Sequence, residues 1–143
     1  MGASVFVEWP EITTETQDAA PGFRNDCKAW AAWLANTVGS RRACKTLRKL
    51  GLDALLSHNT DGLSARKIDW RSPHDLLSSA RTLRSLVAAG DPRVKILVET
   101  YAEGANQVDP ARDEFCIDLE DVAEIAEYAA SHGAQRMTLG YYW

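Results

Sequence analysis

The chain has 143 residues, of which 45% are hydrophobic and 25% charged, with a net charge of −4. That length and composition match one ordinary globular domain, 1–143, and exclude a largely disordered chain. The charge is sorted into blocks: residues 1–36 carry a net −3, residues 37–95 a net +7 and residues 96–143 a net −8.

Three cysteines (Cys27, Cys44 and Cys116) are an odd number without a CxxC pair. That pattern argues against a disulfide framework and for a reducing compartment. The N-terminus has no basic region ahead of an apolar stretch, so it does not read as a secretory signal. The longest run without a polar residue is Ala29 to Ala35, far short of the roughly 20 residues that cross a bilayer. The expected location is the cytoplasm, without a membrane segment.

In chain order, Ser4 to Trp9 alternates and is β-rich, and Pro10 ends it, so it predicts a first strand. Thr13 to Gly22 is polar and reads as a loop. From Asn25, a plausible N-cap, Ala29, Trp30, Trp33, Leu34 and Thr37 recur at helical spacing up to Gly39. Ser40 caps a second helix over Arg41–Leu50, with Cys44 and Leu47 inward, and Leu52–His58 adds a turn or two. Ala65–Trp70 reads as a second strand. Ser72-Pro73-His74-Asp75 is the clearest local signal, a capped helix start. An apolar stripe from Leu76 to Val87 follows, and Gly90 closes it. Residues 92–103 fit both helix and strand periods. The Asp91-Pro92 start and the Gly104 stop favour helix. Residues 104–113 read as a loop and Phe115–Ile117 as a short strand. Asp118 then caps a last helix that Gly133 ends, and Gln135–Trp143 is a closing strand. Strands at the start, middle and end predict an α+β or α/β fold, a small mixed β-sheet of about 3–5 strands covered by about 4–5 helices.

On the last predicted helix, Glu120, Glu124 and Glu127 share one outer face. Like charges at this spacing cost about 0.2–0.5 kcal/mol per pair. The helix dipole accounts for Asp118 and Asp121 as first-turn acids, and partly for Glu120. Glu124 and Glu127 call for solvent, an internal base or a partner. With Asp113, Glu114, Glu99 and Glu103 they form the expected partner-binding surface. Such a surface steers toward a basic protein, so the leading expectation is an acidic binding module, an immunity- or antitoxin-type inhibitor of a basic, toxin-like partner.

Arg41, Arg42, Lys45, Arg48 and Lys49 crowd ten residues without an acid. Arg41, Lys45 and Arg48 share a face and can grip an anion. No interleaved aromatic and no phosphate-binding glycine loop accompanies them, and the net charge also weighs against nucleic acid. A nucleic-acid accessory working through 41–49 is therefore the third reading. The second is a small enzyme or small-molecule binder with a pocket between sheet and helices, drawing on His74, Cys27 or Cys44. His58 and His132 have a structural reason at helix ends. The acids Asp109, Asp113, Asp118 and Glu120 fail calcium-loop spacing, no zinc spacing is present, and no cofactor motif is visible. Tyr141 and Trp143 are expected on one side of the closing strand, with Tyr142 on the other.

Overall fold

The computed structural model describes residues 2–10, 13–25, 28–57, 59–60, 69–105 and 111–142. The order is β1 (Gly2–Glu8), α1 (Thr14–Asp18), α2 (Lys28–Val38), α3 (Arg41–Lys49), a 3₁₀ turn (Asp53–Leu56), β2 (Asn59–Thr60), α4 (Pro73–Ala88), a 3₁₀ turn (Pro92–Val94), α5 (Lys95–Ala105), α6 (Ala111–Ser131) and β3 (Arg136–Tyr142).

The fold is dominated by helices, which corrects the expected sandwich of helices on a mixed sheet of about 3–5 strands. Among the described residues the only sustained strand pairing is the antiparallel ribbon of β1 and β3, in register from Gly2 opposite Tyr142 to Glu8 opposite Arg136. On the other edge of β3, β2 adds two residues of parallel pairing, and Arg71 makes a single bridge to Met137. Two expected strands stand differently. Of Ala65–Trp70, residues 65–68 lie outside the described residues, and Asp69 and Trp70 are in no strand. Phe115–Ile117 lies inside α6. A three-residue apolar run has no period of its own, and here it continues the helical stripe Phe115, Leu119, Val122, Ala126 and Ala129, all buried.

The local helix signals decide the other boundaries. The Ser40 side chain accepts from Ala43 N at 3.2 Å and starts α3. The Ser72 side chain accepts from Asp75 N at 3.1 Å ahead of Pro73 and starts α4. The Asp91 side chain accepts from Arg93 N at 2.9 Å, and the segment that fitted two periods is helical. The polar stretch read as a loop contains α1, whose start is stabilised by Thr13 Oγ1 accepting from Thr16 N.

The longest helix, α6, packs along α4 and against α5. Helix α2 lies between α5 and the ribbon. Val5, Val7, Met137 and Leu139 turn one ribbon face to the core, where Met137 and Leu139 are fully buried. An aromatic cluster fills the centre. Tyr101 stacks on Phe115 with centroids 4.6 Å apart, Trp33 sits 5.2 Å from Phe115 and 4.8 Å from Trp30, and Trp33 Nε1 donates to Leu97 O at 3.1 Å.

Gly104 is the penultimate residue of α5, within one residue of the end expected for it. It lies where that helix meets α2, and a Cβ there would come 2.8 Å from Ala32 Cβ, so close helix approach requires glycine. Gly104→Ala should therefore destabilise the protein by about 1–3 kcal/mol through overpacking, against the roughly 1 kcal/mol that alanine gains in a helix interior. The midpoint of urea unfolding checks this.

Candidate functional site

The predicted acidic face belongs to a helix that begins seven residues earlier than Asp118, at Ala111. Asp113 and Glu114 are the first-turn acids. Asp118 and Asp121 lie further along α6, where the sequence stripe carries them into the interior, and both are fully buried. This corrects the reading of them as dipole-facing cap residues. Burial of a carboxylate demands partners, and each has them. Tyr101, from α5, donates to Asp118 Oδ2 at 2.5 Å, and Asn25 Nδ2 donates to Asp118 Oδ1 at 3.3 Å. Arg24 donates to Asp121 from its backbone N at 2.9 Å and from Nε at 2.7 Å. Asn25 thus acts as a donor to α6.

Burial pushes the Asp118 carboxyl up to about 6, against the hydrogen bonds from Tyr101 and Asn25, while the charges of Asp121 and Glu114 add to the rise. Hydrogen bonds from Arg24, together with Arg84, hold Glu120 below the usual glutamate range.

The outward acids are brought together as expected on one face of α6, but two of the three are engaged within the fold. Glu120 meets Arg24 Nη2 at 2.8 Å and also pairs with Arg84. Glu127 meets Arg81 Nη2 at 2.6 Å. Between them Glu124 is exposed and has no ion pair among the described residues. A groove of about 470 Å³ runs here between α4 and α6, floored by Leu119 and Ala123 and walled by Arg81, Arg84, Glu120 and Glu124. Glu99 is 3.9 Å from Lys95. Glu103 and Asp113 are exposed and Glu114 is half-buried.

On α3, Ala43 and Leu47 form a narrow buried seam, while Arg41, Arg42, Lys45, Arg48 and Lys49 are all exposed. None of the five meets a carboxylate among the described residues. By contrast Arg24, Arg71, Arg81, Arg84, Arg93, Lys95 and Arg136 each do.

The residues considered for catalysis are not assembled. His74 is exposed in the first turn of α4, and no hydrogen bond joins it to Cys44. Cys44 Sγ donates to Thr37 O at 3.2 Å, and burial pushes the Cys116 thiol up. Cys27, His58, Asp109 and Trp143 lie outside the described residues. His132 stacks on Tyr128 and bonds its carbonyl at 2.9 Å, at the end of α6. Among the described residues no group of three or more His, Cys, Asp or Glu is placed to hold a metal ion, and no helix is long and apolar enough to cross a membrane.

Sequence reasoning missed Arg24, Tyr101 and Arg71. Arg24 was one of only two bases in an acidic block, which was the available signal. Arg71 bridges Asp69 and Asp53, at 3.0 and 3.1 Å.

No family model, no curated protein and no solved structure matches the chain. The geometry therefore defines the class directly: a helix-rich protein with a small sheet, an acidic face largely paired within the fold and a basic helix without an ion pair among the described residues.

Two outcomes test the buried carboxylates. Because the folded Asp118 binds its proton more tightly than the unfolded chain does, the stability that proton supplies is present at low pH. It is lost as pH rises from about 4 to about 6. That loss is about 2–3 kcal/mol, and Asp118→Asn should flatten thermal midpoints across the same window. Arg24→Ala removes the charge partner of the buried Asp121 and leaves it the backbone N–H, which should lower the thermal midpoint clearly, whereas Arg81→Ala, whose ion pair is exposed on both sides, should change stability by less than about 1 kcal/mol.

Proposed function

We propose that the protein is a binding module whose working surface is the exposed basic face of α3, and that this face grips the phosphate backbone of a nucleic acid. The observation that carries the reading is the absence of any carboxylate on these five bases among the described residues, while seven other bases of the fold are paired.

Helix stability does not explain their placement. Arg41 and Arg42 stand in the first turn, where the positive end of the helix dipole opposes them, by about 0.3–1 kcal/mol each. Arg41 with Lys45, and Lys45 with Lys49, are like charges at i, i+4, and each pair costs about 0.2–0.5 kcal/mol. Only Arg48 and Lys49 sit at the favourable end. Helix α3 also follows α2 through a two-residue corner, Gly39–Ser40, which resembles the helix-corner-helix form that presents a second helix to a duplex. The acid-rich remainder, which gives the net −4, repels a polyanion everywhere else and so orients the approach.

A second reading keeps the acidic face as a dock for a basic, toxin-like protein. It is favoured by Glu124, the one member of its stripe without an ion pair, flanked at a distance by Asp113, Glu114 and Glu103. Its charge is smaller than the sequence suggests, because Glu120 and Glu127 are already engaged.

Fluorescence anisotropy with a duplex DNA and a duplex RNA should show binding that weakens steeply with salt, and the slope should fall by about 0.9 for each phosphate contact removed. Arg41→Glu, Lys45→Glu and Arg48→Glu together should abolish it, and Glu124→Gln should leave it intact. No binding at low salt, or binding indifferent to the α3 triple variant, overturns the proposal. Capture of a basic protein that Glu124→Gln weakens would favour the second reading.

A further inference from the structure

The basic residues of α3 divide into two rows. At about 100° per residue, Arg41 and Arg48 stand within about 20° of each other around the helix, and so do Arg42 and Lys49. The rows are about 100° apart, and Lys45 stands midway between them, opposite the buried seam of Ala43 and Leu47. Resting on the α3 reading, we propose that the ligand is double-stranded DNA, that α3 enters its major groove, and that one row grips the phosphates of each strand.

Two rows suit a ligand with anionic walls on both sides. All five basic residues are exposed, and none meets a carboxylate among the described residues. No acid stands between Asp26 and Asp53 in the sequence, so neither α2 nor α3 carries one. Asp53, the next acid after α3, is engaged by Arg71 at 3.1 Å. Ala43 and Leu47 hold the opposite side of the helix to the fold, so both rows and the ridge between them face away from it. An α-helix with its side chains is about 10–12 Å across. The major groove of B-form DNA is about 12 Å wide, and a phosphate backbone runs along each rim. A helix lying in that groove meets one backbone with each flank.

The other forms of nucleic acid fit less well. A single strand offers one backbone, which one row would satisfy, and proteins that hold single strands add aromatic faces on which nucleobases stack. Helix α3 has no aromatic residue. The major groove of A-form RNA is deep and too narrow for side chains to read, and its minor groove is wide and shallow, so an RNA duplex gives α3 a floor rather than two walls. The DNA minor groove, about 6 Å wide, is narrower than the helix. Within the DNA major groove little on α3 distinguishes one sequence from another. It has no Asn or Gln for the edge of adenine, and the Thr46 hydroxyl is engaged with Arg42 O at 3.0 Å. Lys45 alone stands where the nucleobase edges lie, and a lysine there favours guanine. The ligand is thus a DNA duplex read for its shape and charge, with at most a mild preference for G·C pairs.

Fluorescence anisotropy of the full chain is measured in one buffer with a mixed-sequence DNA duplex, the RNA duplex of the same sequence and each DNA strand alone. The DNA duplex should bind about tenfold or more tighter than the other probes. Arg41→Gln with Arg48→Gln and, separately, Arg42→Gln with Lys49→Gln should each lower the salt slope by about 1.8, the share of two phosphate contacts. Both double variants replace exposed residues and leave the Ala43–Leu47 seam intact, so their thermal midpoints should stay close to the parent's. Methyl green, a major-groove ligand, should displace the protein, and netropsin, a minor-groove ligand, should not. Equal or tighter binding of the RNA duplex or of a single strand overturns the inference while leaving α3 a nucleic-acid surface. So does one row whose removal leaves the slope unchanged, or displacement by netropsin alone. No binding to any probe, or binding that neither double variant alters, overturns it together with the reading it rests on.

Discussion

Two carboxylates on the buried side of α6 set the arrangement of the helices around them. A carboxylate without partners is too costly to keep in a protein interior, so the chain segments that supply donors to Asp118 and Asp121 must lie where those oxygens are. One donor is Tyr101, which ties α5 to α6 and at the same time stacks on Phe115 of α6. The others are Arg24 and Asn25, which pin the approach to α2 across more than 90 residues of sequence. Trp30 and Trp33 of α2 then close on Phe115, and Trp33 reaches the carbonyl of Leu97 in α5. Directional bonds and apolar packing thus select the same three-helix geometry. The ribbon is held by apolar packing of Val5, Val7, Met137 and Leu139 on the core and of Trp9 on Tyr128, whose hydroxyl also donates to Thr16 O of α1 at 2.6 Å.

The sorted charge of the sequence has two structural origins. Part of the basic middle block does fold back on the acidic C-terminal block, but through α4, whose Arg81 and Arg84 face Glu127 and Glu120. The part expected to do so by density of charge, α3, stays outside. These exposed pairs contribute little stability, on the order of 0–1 kcal/mol each. Their main effect is to reduce the field of the α6 face, which is why an acid count taken from sequence overstates what that face offers a partner. The α3 field has no such compensation among the described residues.

The legible parts of the fold are those whose cause is local. Ser40, Ser72-Pro73 and Asp91-Pro92 start helices through bonds spanning two or three residues, and such bonds are written in adjacent letters. The alternating Val5-Phe6-Val7 and Met137-Thr138-Leu139 segments are strands for the same kind of reason. The parts that were not legible depend on distance. An aspartate that caps a helix and one that is buried in its middle look identical until the donor is known, and Arg24 is 97 residues from Asp121. That Gly104 also serves a close helix contact is not visible until Ala32 is known to lie against it. The sheet is smaller than the sequence suggests because a short apolar run such as Phe115–Ile117 resembles a strand although it continues a helix. Of the candidate site residues, the grouping of Glu120, Glu124 and Glu127, and of Arg41, Lys45 and Arg48, follows from helical period alone. Which of them are neutralised does not.

The exposed bases of α3 bear on why an acidic protein carries such a helix at all. Its hold on the fold comes from Ala43 and Leu47 beneath and from the Ser40 cap and the Gly51 corner at its ends, where Leu52 N donates to Leu47 O at 2.8 Å. None of these involves a base. The outer face could carry any mixture of polar residues, and acids in the first turn would suit the helix dipole better than Arg41 and Arg42 do. A sequence that keeps five bases there, Arg41 and Arg42 of them against the dipole and several against one another, carries a stability cost with no ion pair in return among the described residues. Costs of this form are characteristic of surfaces maintained for a partner. The acids of α6 differ in this respect, since Arg24, Arg81 and Arg84 offset two of its three outward glutamates from within.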